Sequence, residues 1–132
     1  MATMATRAKQ RGLYDEPMWA GFARQQLLLQ RCCACGTHRY PPAPVCPKCL
    51  DPEHQWSPCA GSARIVSWAV FHRQYLPAYP VPYNVVTVQL EEGPLMVSNL
   101  EGPAPEGSWI GHSVSLTWSE TDDGLLPRFR LA

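Results

Sequence analysis

Two patterns of hydrophobic positions follow one another along the chain, the first helical and the second alternating. Near the N-terminus, apolar residues recur at helical spacing after Asp15, which can cap a helix whose first turn holds Glu16 and Pro17. This stripe consists of Met18, Trp19, Phe22 and Ala23. A stripe of this kind ordinarily packs on a core. The alternative is that Trp19 and Phe22 dock on a partner protein, because a small domain offers little core to such a helix.

From about Trp56 onward the pattern is typical of strands. Val86, Val88 and Leu90, for example, fall on one face of a short segment. The predicted strands are 63–75, 84–90, 95–100, 113–119 and a last one that holds Phe129 and Leu131. Five short strands with hairpin-like connections suit a small closed or partly open barrel, of which the OB-fold is the commonest kind. The small helix expected between the third and fourth strands is not indicated in residues 101–110.

The predicted fold is therefore mainly β: an N-terminal helix, a cysteine-rich module and an OB-fold-like barrel of five strands. We divide the chain into a mobile tail (1–12), the helix with a lead-in strand (13–30), the cysteine module (31–55) and the OB-fold (56–132). The 14 prolines and 9 glycines agree with short strands and many turns.

Charge and hydropathy narrow the classes of function. Lysine plus arginine equal aspartate plus glutamate at 11 each, so the formal net charge is zero. A protein that mainly grips phosphate backbones would carry a basic excess. No apolar run approaches the roughly 20 residues that cross a bilayer. Residues 1–12 lack the apolar stretch of a signal peptide, and we expect a cytoplasmic chain.

Two Cys-x-x-Cys units predict a metal site. Cys32 and Cys35 form the first unit, with Gly36 directly behind them, and Cys46 and Cys49 form the second. Two residues between thiolates let one tight turn direct both sulfurs at one ion, and Gly36 permits the positive φ that such a turn often needs. Four thiolates in a tetrahedron are the geometry of a structural zinc, which leaves no open position for substrate.

Two further cysteines complicate the choice of ligands. Cys33 and Cys35 are too close in sequence for the usual turn, so we assign Cys32 as the ligand. Cys33 and Cys59 are then expected to be small buried apolar residues. Iron is the alternative metal, because rubredoxin uses the same pairs, and it would indicate an electron carrier.

These features together resemble a known family of two-part proteins, in which a rubredoxin-like zinc ribbon precedes an OB-fold, often encoded beside thiolases and acyl-CoA enzymes. The N-terminal matches are the helix with Trp19 and Phe22, Leu29-Gln30-Arg31-Cys32-x-x-Cys35-Gly36, Tyr40-Pro41-Pro42 and Cys46-Pro47-Lys48-Cys49. The C-terminal matches are Gly61, Ile65-Val66-Ser67-Trp68, Pro82, the run from Val85 to Gly93, Ser98-Asn99-Leu100 and Ile110-Gly111 before the Val114 strand. The resemblance covers roughly residues 14–131.

The resemblance implies an accessory subunit and not a stand-alone catalyst. Members of this family look like partners of thiolases, thiolase-like aldolases, acyltransferases and sometimes hydratases that act on CoA thioesters. They complete or stabilise the enzyme and help to seat the acyl-CoA, which would be a shared ligand. By the same analogy we expect a hetero-oligomer, with two copies of each subunit as a reasonable assembly.

The residues themselves offer no catalytic constellation. The four histidines are His38, His54, His72 and His112. None of them has a carboxylate or a nucleophile at the spacing of a known catalytic motif. The pairs Asp122-Asp123 and Glu91-Glu92 stand in turn contexts, where solvated charge is the ordinary explanation. No nucleophile elbow, phosphate loop or dinucleotide fingerprint occurs.

A long connection between the first two barrel strands is the remaining candidate surface. Residues 71–83 hold three tyrosines, Tyr75, Tyr79 and Tyr83, and three prolines. Prolines stiffen a loop, and tyrosines supply contact area at little entropic cost. The ordinary interpretation is a loop that covers the barrel mouth. The functional hypothesis is a rigid loop against a partner or an acyl-CoA, with Arg73 near a phosphate.

One further class of function stays open at this point. An OB-fold can bind single-stranded nucleic acid through stacking aromatic residues, here Trp68, Phe71, Tyr75, Tyr79 and Tyr83. The zero net charge argues against this alternative.

Overall fold

The computed structural model describes residues 12–77, 79–122 and 124–132. The predicted mobile tail lies outside the described residues, apart from Gly12. Within the described part, one helix precedes two antiparallel sheets, so the mainly β fold is confirmed. No helix of this part is long and apolar enough to cross a membrane.

Helix α1 spans Glu16–Ala23, and Asp15 stands at its N-cap. The Asp15 side chain makes no capping hydrogen bond to the helix; it accepts one from the Gly12 backbone N–H at 2.9 Å instead. Met18 and Phe22 are buried at 5% and 4% exposure, Trp19 is half-buried, and Ala23 is exposed. The helix therefore packs by one narrow stripe, as the ordinary interpretation of its sequence predicts.

Three strands form the first sheet, in the order β2-β1-β3. They are β1 (Leu28–Cys32), β2 (His38–Arg39) and β3 (His54–Pro58), all paired antiparallel. β1 lies in the centre, which explains why Leu29 and Gln30 are almost fully buried. The predicted domain boundary between residues 55 and 56 falls within β3, and the division of the chain stays a prediction.

Five strands form the second sheet, in the order β6-β5-β4-β7-β8. They are β4 (Ser62–Phe71), β5 (Tyr83–Leu90), β6 (Leu95–Ser98), β7 (Ser113–Thr121) and β8 (Gly124–Leu131). All their pairings are antiparallel. Residues 99–112, all of them described, contain no helix, as predicted.

The sheet curls until its two ends meet just beyond β6. Leu100 forms an isolated parallel bridge with Phe129 of β8. The Phe129 N–H donates to the Asn99 carbonyl at 3.1 Å, and the Glu101 N–H donates to the Phe129 carbonyl at 2.7 Å. This closure buries Phe129 completely. The other fully buried apolar side chains of the barrel strands are Ile65, Val86, Val88, Leu90 and Val114.

Candidate metal centre and partner surface

The four predicted ligands converge on one point. The sulfurs of Cys32, Cys35, Cys46 and Cys49 all lie within 4.8 Å of one another. The Cys32–Cys49 and Cys35–Cys46 sulfur pairs are each 3.6 Å apart. A tetrahedral zinc with bonds of about 2.3 Å requires sulfur separations of about 3.8 Å. The donor set therefore fits a closed, four-thiolate structural zinc.

Two equivalent turns present these sulfurs. In the first, the Cys35 N–H points at the Cys32 sulfur at 3.5 Å, and in the second the Lys48 N–H points at the Cys46 sulfur at 3.4 Å. Backbone donors of this kind stabilise thiolate charge. Cys32 and Cys46 are buried at 3% and 0% exposure, so the site is anchored in the protein on one side.

Two of the four thiols, Cys35 and Cys49, differ in acidity before any metal is considered. Hydrogen bonds with the hydroxyl and backbone of Thr37 lower the pKa of Cys35 to about 6. At Cys49 a hydrogen bond from the Asp51 backbone favours the thiolate, but burial and the neighbouring thiols outweigh it and raise the pKa to about 12. A divalent cation among the sulfurs favours the thiolate form of all of them, so zinc uptake releases protons.

The two remaining cysteines stand apart from the cluster. Cys33 is exposed, which corrects the prediction that it is a buried apolar residue. Its backbone is held in the module, since its N–H donates to the Glu53 carbonyl at 3.0 Å, and its sulfur is not one of the four that cluster. Cys59 is partly buried, and burial together with the nearby Glu92 carboxylate raises its pKa to about 12.

A buried polar network that sequence reasoning missed holds the second turn against β1. The Gln30 amide accepts from the Ala43 N–H at 2.8 Å and donates to the Ala43 carbonyl at 3.1 Å. Arg39, only 3% exposed, also donates to the Ala43 carbonyl, at 2.9 Å, and reaches the Asp51 carbonyl at 3.5 Å. Gln30 lies on β1 and Arg39 on β2, both close in sequence to a cysteine unit. That position was the only sequence signal for this buried network.

The tyrosine-rich connection between β4 and β5 forms a stack of rings. Phe71 and Tyr83 lie with centroids 5.0 Å apart, and Tyr79 stacks on Tyr83 at 5.7 Å. Tyr75 meets Phe71 edge-on at 6.3 Å and is 65% exposed. The Arg73 guanidinium lies 5.4 Å from the centre of the Tyr75 ring. The structure thus brings the four predicted loop residues, Arg73, Tyr75, Tyr79 and Tyr83, into one continuous cluster.

The two helix residues predicted for a partner surface, Trp19 and Phe22, contact each other but differ in burial. Phe22 lies in the core between Trp19, at 5.1 Å, and Trp118, at 5.7 Å between ring centres. Phe22 is only 4% exposed and contacts Trp19, and its place in a partner surface stays a prediction. Trp19 stays half-exposed beside a cavity of about 280 Å³ between α1, β6 and β8.

The aromatic residues considered for nucleic-acid stacking mostly face one another. Trp68 stacks flat on Trp109 with centres 4.6 Å apart and planes 9° apart. The rings of Phe71, Tyr79 and Tyr83 are likewise paired within the loop cluster. Faces engaged in this way are not open to bases.

The comparisons with known proteins identify the two modules. Residues 19–55 match the family model for the rubredoxin-like zinc ribbon domain of ChsH2, and residues 56–119 match the model for its C-terminal OB-fold domain. The solved structure of the Ltp2-ChsH2(DUF35) aldolase contains a chain 36% identical to this one, with a TM-score of 0.85. The match covers 93% of this chain and 98% of that one. The chain belongs to this zinc ribbon plus OB-fold family.

Two further relatives have other names. A probable enoyl-CoA hydratase alpha subunit of Thermomonospora curvata is 42% identical over 120 residues, which are 89% of this chain and 38% of that protein. A DUF35 domain-containing scaffold protein of Pyrococcus furiosus is 27% identical over 82% of this chain and 83% of its own length. The chain thus spans well under half of the hydratase subunit that it matches.

Proposed function

We propose that this chain is a non-catalytic accessory subunit that binds and completes an enzyme acting on acyl-CoA thioesters. The proposed partner is thiolase-like (a thiolase, aldolase or acyltransferase) or a hydratase, in a hetero-oligomer. The likeness to the chain of the Ltp2-ChsH2(DUF35) aldolase over nearly its whole length is the observation that carries this proposal. The relatives named as a hydratase subunit and as a scaffold protein support the same role.

The described residues supply structure and no reaction chemistry. A four-thiolate site has no open coordination position, so its metal would hold the ribbon and not activate a substrate. His54 is hydrogen-bonded to Gln30 at 3.2 Å and to the Pro52 carbonyl at 3.2 Å. In the described part of the chain no histidine side chain bonds to a carboxylate, hydroxyl or thiol, which is what base catalysis would need.

The loop cluster supports a contact surface for the partner or for its CoA thioester. Tyr75 is 65% exposed and Leu76 is 49% exposed, in the connection that follows the end of β4 at Phe71. Rigid aromatic side chains with a polar end are typical anchors of protein interfaces. The Arg73 guanidinium beside Tyr75 is a suitable group for a CoA phosphate, and we include the CoA thioester as a shared ligand.

The proposed compartment is the cytoplasm. All six cysteines are free in the structure, and the four at the metal centre must stay reduced to bind zinc. A reducing compartment maintains this state, whereas an oxidising one would favour disulfides among sulfurs only 3.6 Å apart.

The test is co-purification of the tagged chain from its native cell, followed by assay of the complex. We expect a thiolase-like or hydratase-like protein in stoichiometric amount, and turnover of an acyl-CoA by the complex but not by this chain alone. A chain that elutes alone, that elutes with nucleic acid, or that turns over an acyl-CoA unaided would contradict the proposal.

The contribution of Arg73 to binding of the CoA thioester is measured separately. We expect Arg73→Ala to raise KM for the acyl-CoA several-fold in the purified complex while kcat stays the same, because phosphate binding is equal in ground and transition states. Arg64→Ala, also an exposed arginine, is the control and should leave KM unchanged. Equal KM values for both variants would remove the CoA contact and leave the subunit role standing.

A further inference from the structure

β4 is paired along only one of its two edges for most of its length. Its partner β5 accompanies it from Ala63 to Phe71. On the other edge β7 pairs only with residues 62–64, and Ile65 exchanges hydrogen bonds with Gly111 and His112 at 2.8 and 3.0 Å. Among the described residues no strand pairs with this edge over residues 66–71. Six residues of strand present about 20 Å of edge.

This stretch is unusually exposed for a barrel strand. Residues 66–69 are exposed one after another, whereas alternate residues of a strand inside a barrel wall face the interior. Val66 and Trp68 are each 37% exposed although both are large and apolar. The exposed stretch begins at the register shift after Ile65, while β4 stays paired with β5 as far as Phe71 and Val70 still packs against the core.

The exposed edge also lacks the usual protection against pairing. Its sequence, Val-Ser-Trp-Ala-Val-Phe, contains no charged residue and no proline. Natural edge strands commonly carry charged residues or prolines, or are very short, or are covered by a loop. The part of β7 that β4 leaves unpaired, residues 116–121, carries such protection. It contains Glu120, and its Ser119 hydroxyl donates to the Glu101 carboxylate, in the loop after β6, at 2.9 Å.

We propose that residues 66–71 of β4 bind one extended strand of the partner enzyme through backbone hydrogen bonds. The inference rests on the proposed function and names where the partner docks. A row of unpaired strand N–H and C=O groups is satisfied in register only by another extended backbone. Because the register shift leaves Val66 in a bulge and pairs Trp68 with Val86, the bound strand has an apolar side chain beside Trp68 and small or polar ones beside Ser67 and Ala69.

The residues around the β4 edge favour a different protein, and not a second copy of this chain, as the molecule that binds there. Six residues of edge pairing fall well short of the roughly 1,200 Å² that a stable interface buries. The edge continues without a break into the proposed surface of Arg73 and Tyr75, since Phe71 contacts Tyr75 at 6.3 Å between rings. A partner enzyme that contacts both the edge and this surface buries more area than edge pairing alone. The Trp68–Trp109 stack holds the tryptophan beside the edge in one orientation and reduces the entropy lost on binding.

Hydrogen exchange of the complex measures this pairing directly. The co-purified complex and the free chain are compared by mass spectrometry at single-residue resolution over residues 64–72. We expect alternate amides within 66–71 to exchange at least ten-fold more slowly in the complex, because only the N–H groups that face the new strand gain a bond. Unchanged exchange in an intact complex overturns the inference and leaves the proposed function standing.

Two other results would also overturn it. If no complex forms, the proposed function and the docking site fall together. If the free chain is already a dimer with these amides protected, the occupant is a second copy. Size-exclusion chromatography with light scattering of the free chain distinguishes these two results.

A charged substitution gives an independent readout. We expect Val66→Lys to weaken the affinity for the purified partner at least ten-fold, because lysine on an edge opposes strand pairing. Leu95→Lys is the control: Leu95 is a 52% exposed apolar residue on β6, at one end of the sheet order and away from the cavity beside Trp19, and its substitution should leave affinity unchanged. Ser67→Lys tests the same edge should Val66→Lys fail to fold. Unchanged affinity in both edge variants contradicts the docking site.

Discussion

Gly36 and Leu50 occupy the same position in the two cysteine turns, directly after the second cysteine of each. Their φ angles are 78° and 69°, and both backbone N–H groups donate at 2.9 Å to the carbonyl of the first cysteine of their turn, Cys32 and Cys46. Glycine adopts this left-handed conformation freely, whereas leucine does so at a penalty of about 1–2 kcal/mol. The zinc centre therefore has one relaxed turn and one strained turn.

The strained turn should tolerate glycine better than leucine. We expect Leu50→Gly to raise the free energy of unfolding by about 0.5–1 kcal/mol, since the relief of strain exceeds the extra entropy of glycine in the unfolded chain. Leu50 is 70% exposed, so little packing is lost. The reciprocal change, Gly36→Leu, should lower stability by about 1–2 kcal/mol. Denaturant unfolding of the zinc-loaded proteins measures both, and a destabilised Leu50→Gly would show that the leucine makes a needed contact.

Removal of one ligand tests the assignment of the metal centre. Cys46 is completely buried, and a structural zinc contributes on the order of 10 kcal/mol to folding. We expect Cys46→Ser to lose zinc and to unfold or aggregate. Cys33→Ser, at the exposed cysteine beside the site, is the matched control and should keep one zinc per chain by elemental analysis. A stable Cys46→Ser protein with full zinc content would refute the assignment.

Local sequence patterns predicted those features of the fold and the metal site that depend on residues close together in the chain. The two Cys-x-x-Cys units placed four sulfurs together because each turn fixes its own pair. Alternation predicted β5, β7 and β8, and Val86, Val88 and Leu90 are indeed all buried, whereas the first barrel strand, predicted to reach residue 75, ends at Phe71. The resemblance to the family, carried by motifs along nearly the whole chain, is confirmed by the two matching domain models.

Features that depend on distant pairing were not predictable in this way. β3 (His54–Pro58) belongs to the zinc-ribbon sheet because it pairs with β1. Its five residues are too few to show a strand-like alternation of apolar and polar positions. Leu50 adopts a glycine-like conformation that no local signal reveals. The burial of Phe22 depends on Trp118, nearly a hundred residues later in the chain. Tertiary context decides each of these cases, and a hydrophobic stripe does not tell a core contact from a partner contact.

Alkylation should distinguish the two cysteines outside the metal centre. The thiolate is the reactive form, and burial beside Glu92 raises the pKa of Cys59 to about 12. At pH 8 we expect iodoacetamide to modify the exposed Cys33 and to spare Cys59, whose reactivity should increase only as pH rises toward its raised pKa. Peptide mass spectrometry of the zinc-loaded protein gives the result. Denatured, chelator-treated protein is the control, in which all six cysteines react, and equal rates at Cys33 and Cys59 in folded protein would contradict the buried thiol.

The Asn84 side chain helps to close the barrel. It bonds to the backbone of Leu100 in the way that a residue of a neighbouring strand would. Its amide donates to the Leu100 carbonyl at 3.0 Å and accepts from the Leu100 N–H at 2.6 Å, directly beside the bridge from Leu100 to Phe129. We expect Asn84→Ala to lower the free energy of unfolding by about 2 kcal/mol, because it removes two hydrogen bonds and leaves backbone groups of Leu100 without partners. Urea unfolding with zinc present measures the loss.

Gln89→Ala is the matched control for this substitution. Gln89 is also an amide residue on β5, and its side chain makes one exposed hydrogen bond, to the Gly93 carbonyl at 3.2 Å. An exposed bond contributes little because water replaces it, so we expect a change below about 0.5 kcal/mol. Equal losses in the two variants would mean that the barrel is held closed by the Leu100–Phe129 bridge and the buried Phe129 alone, without help from the Asn84 amide.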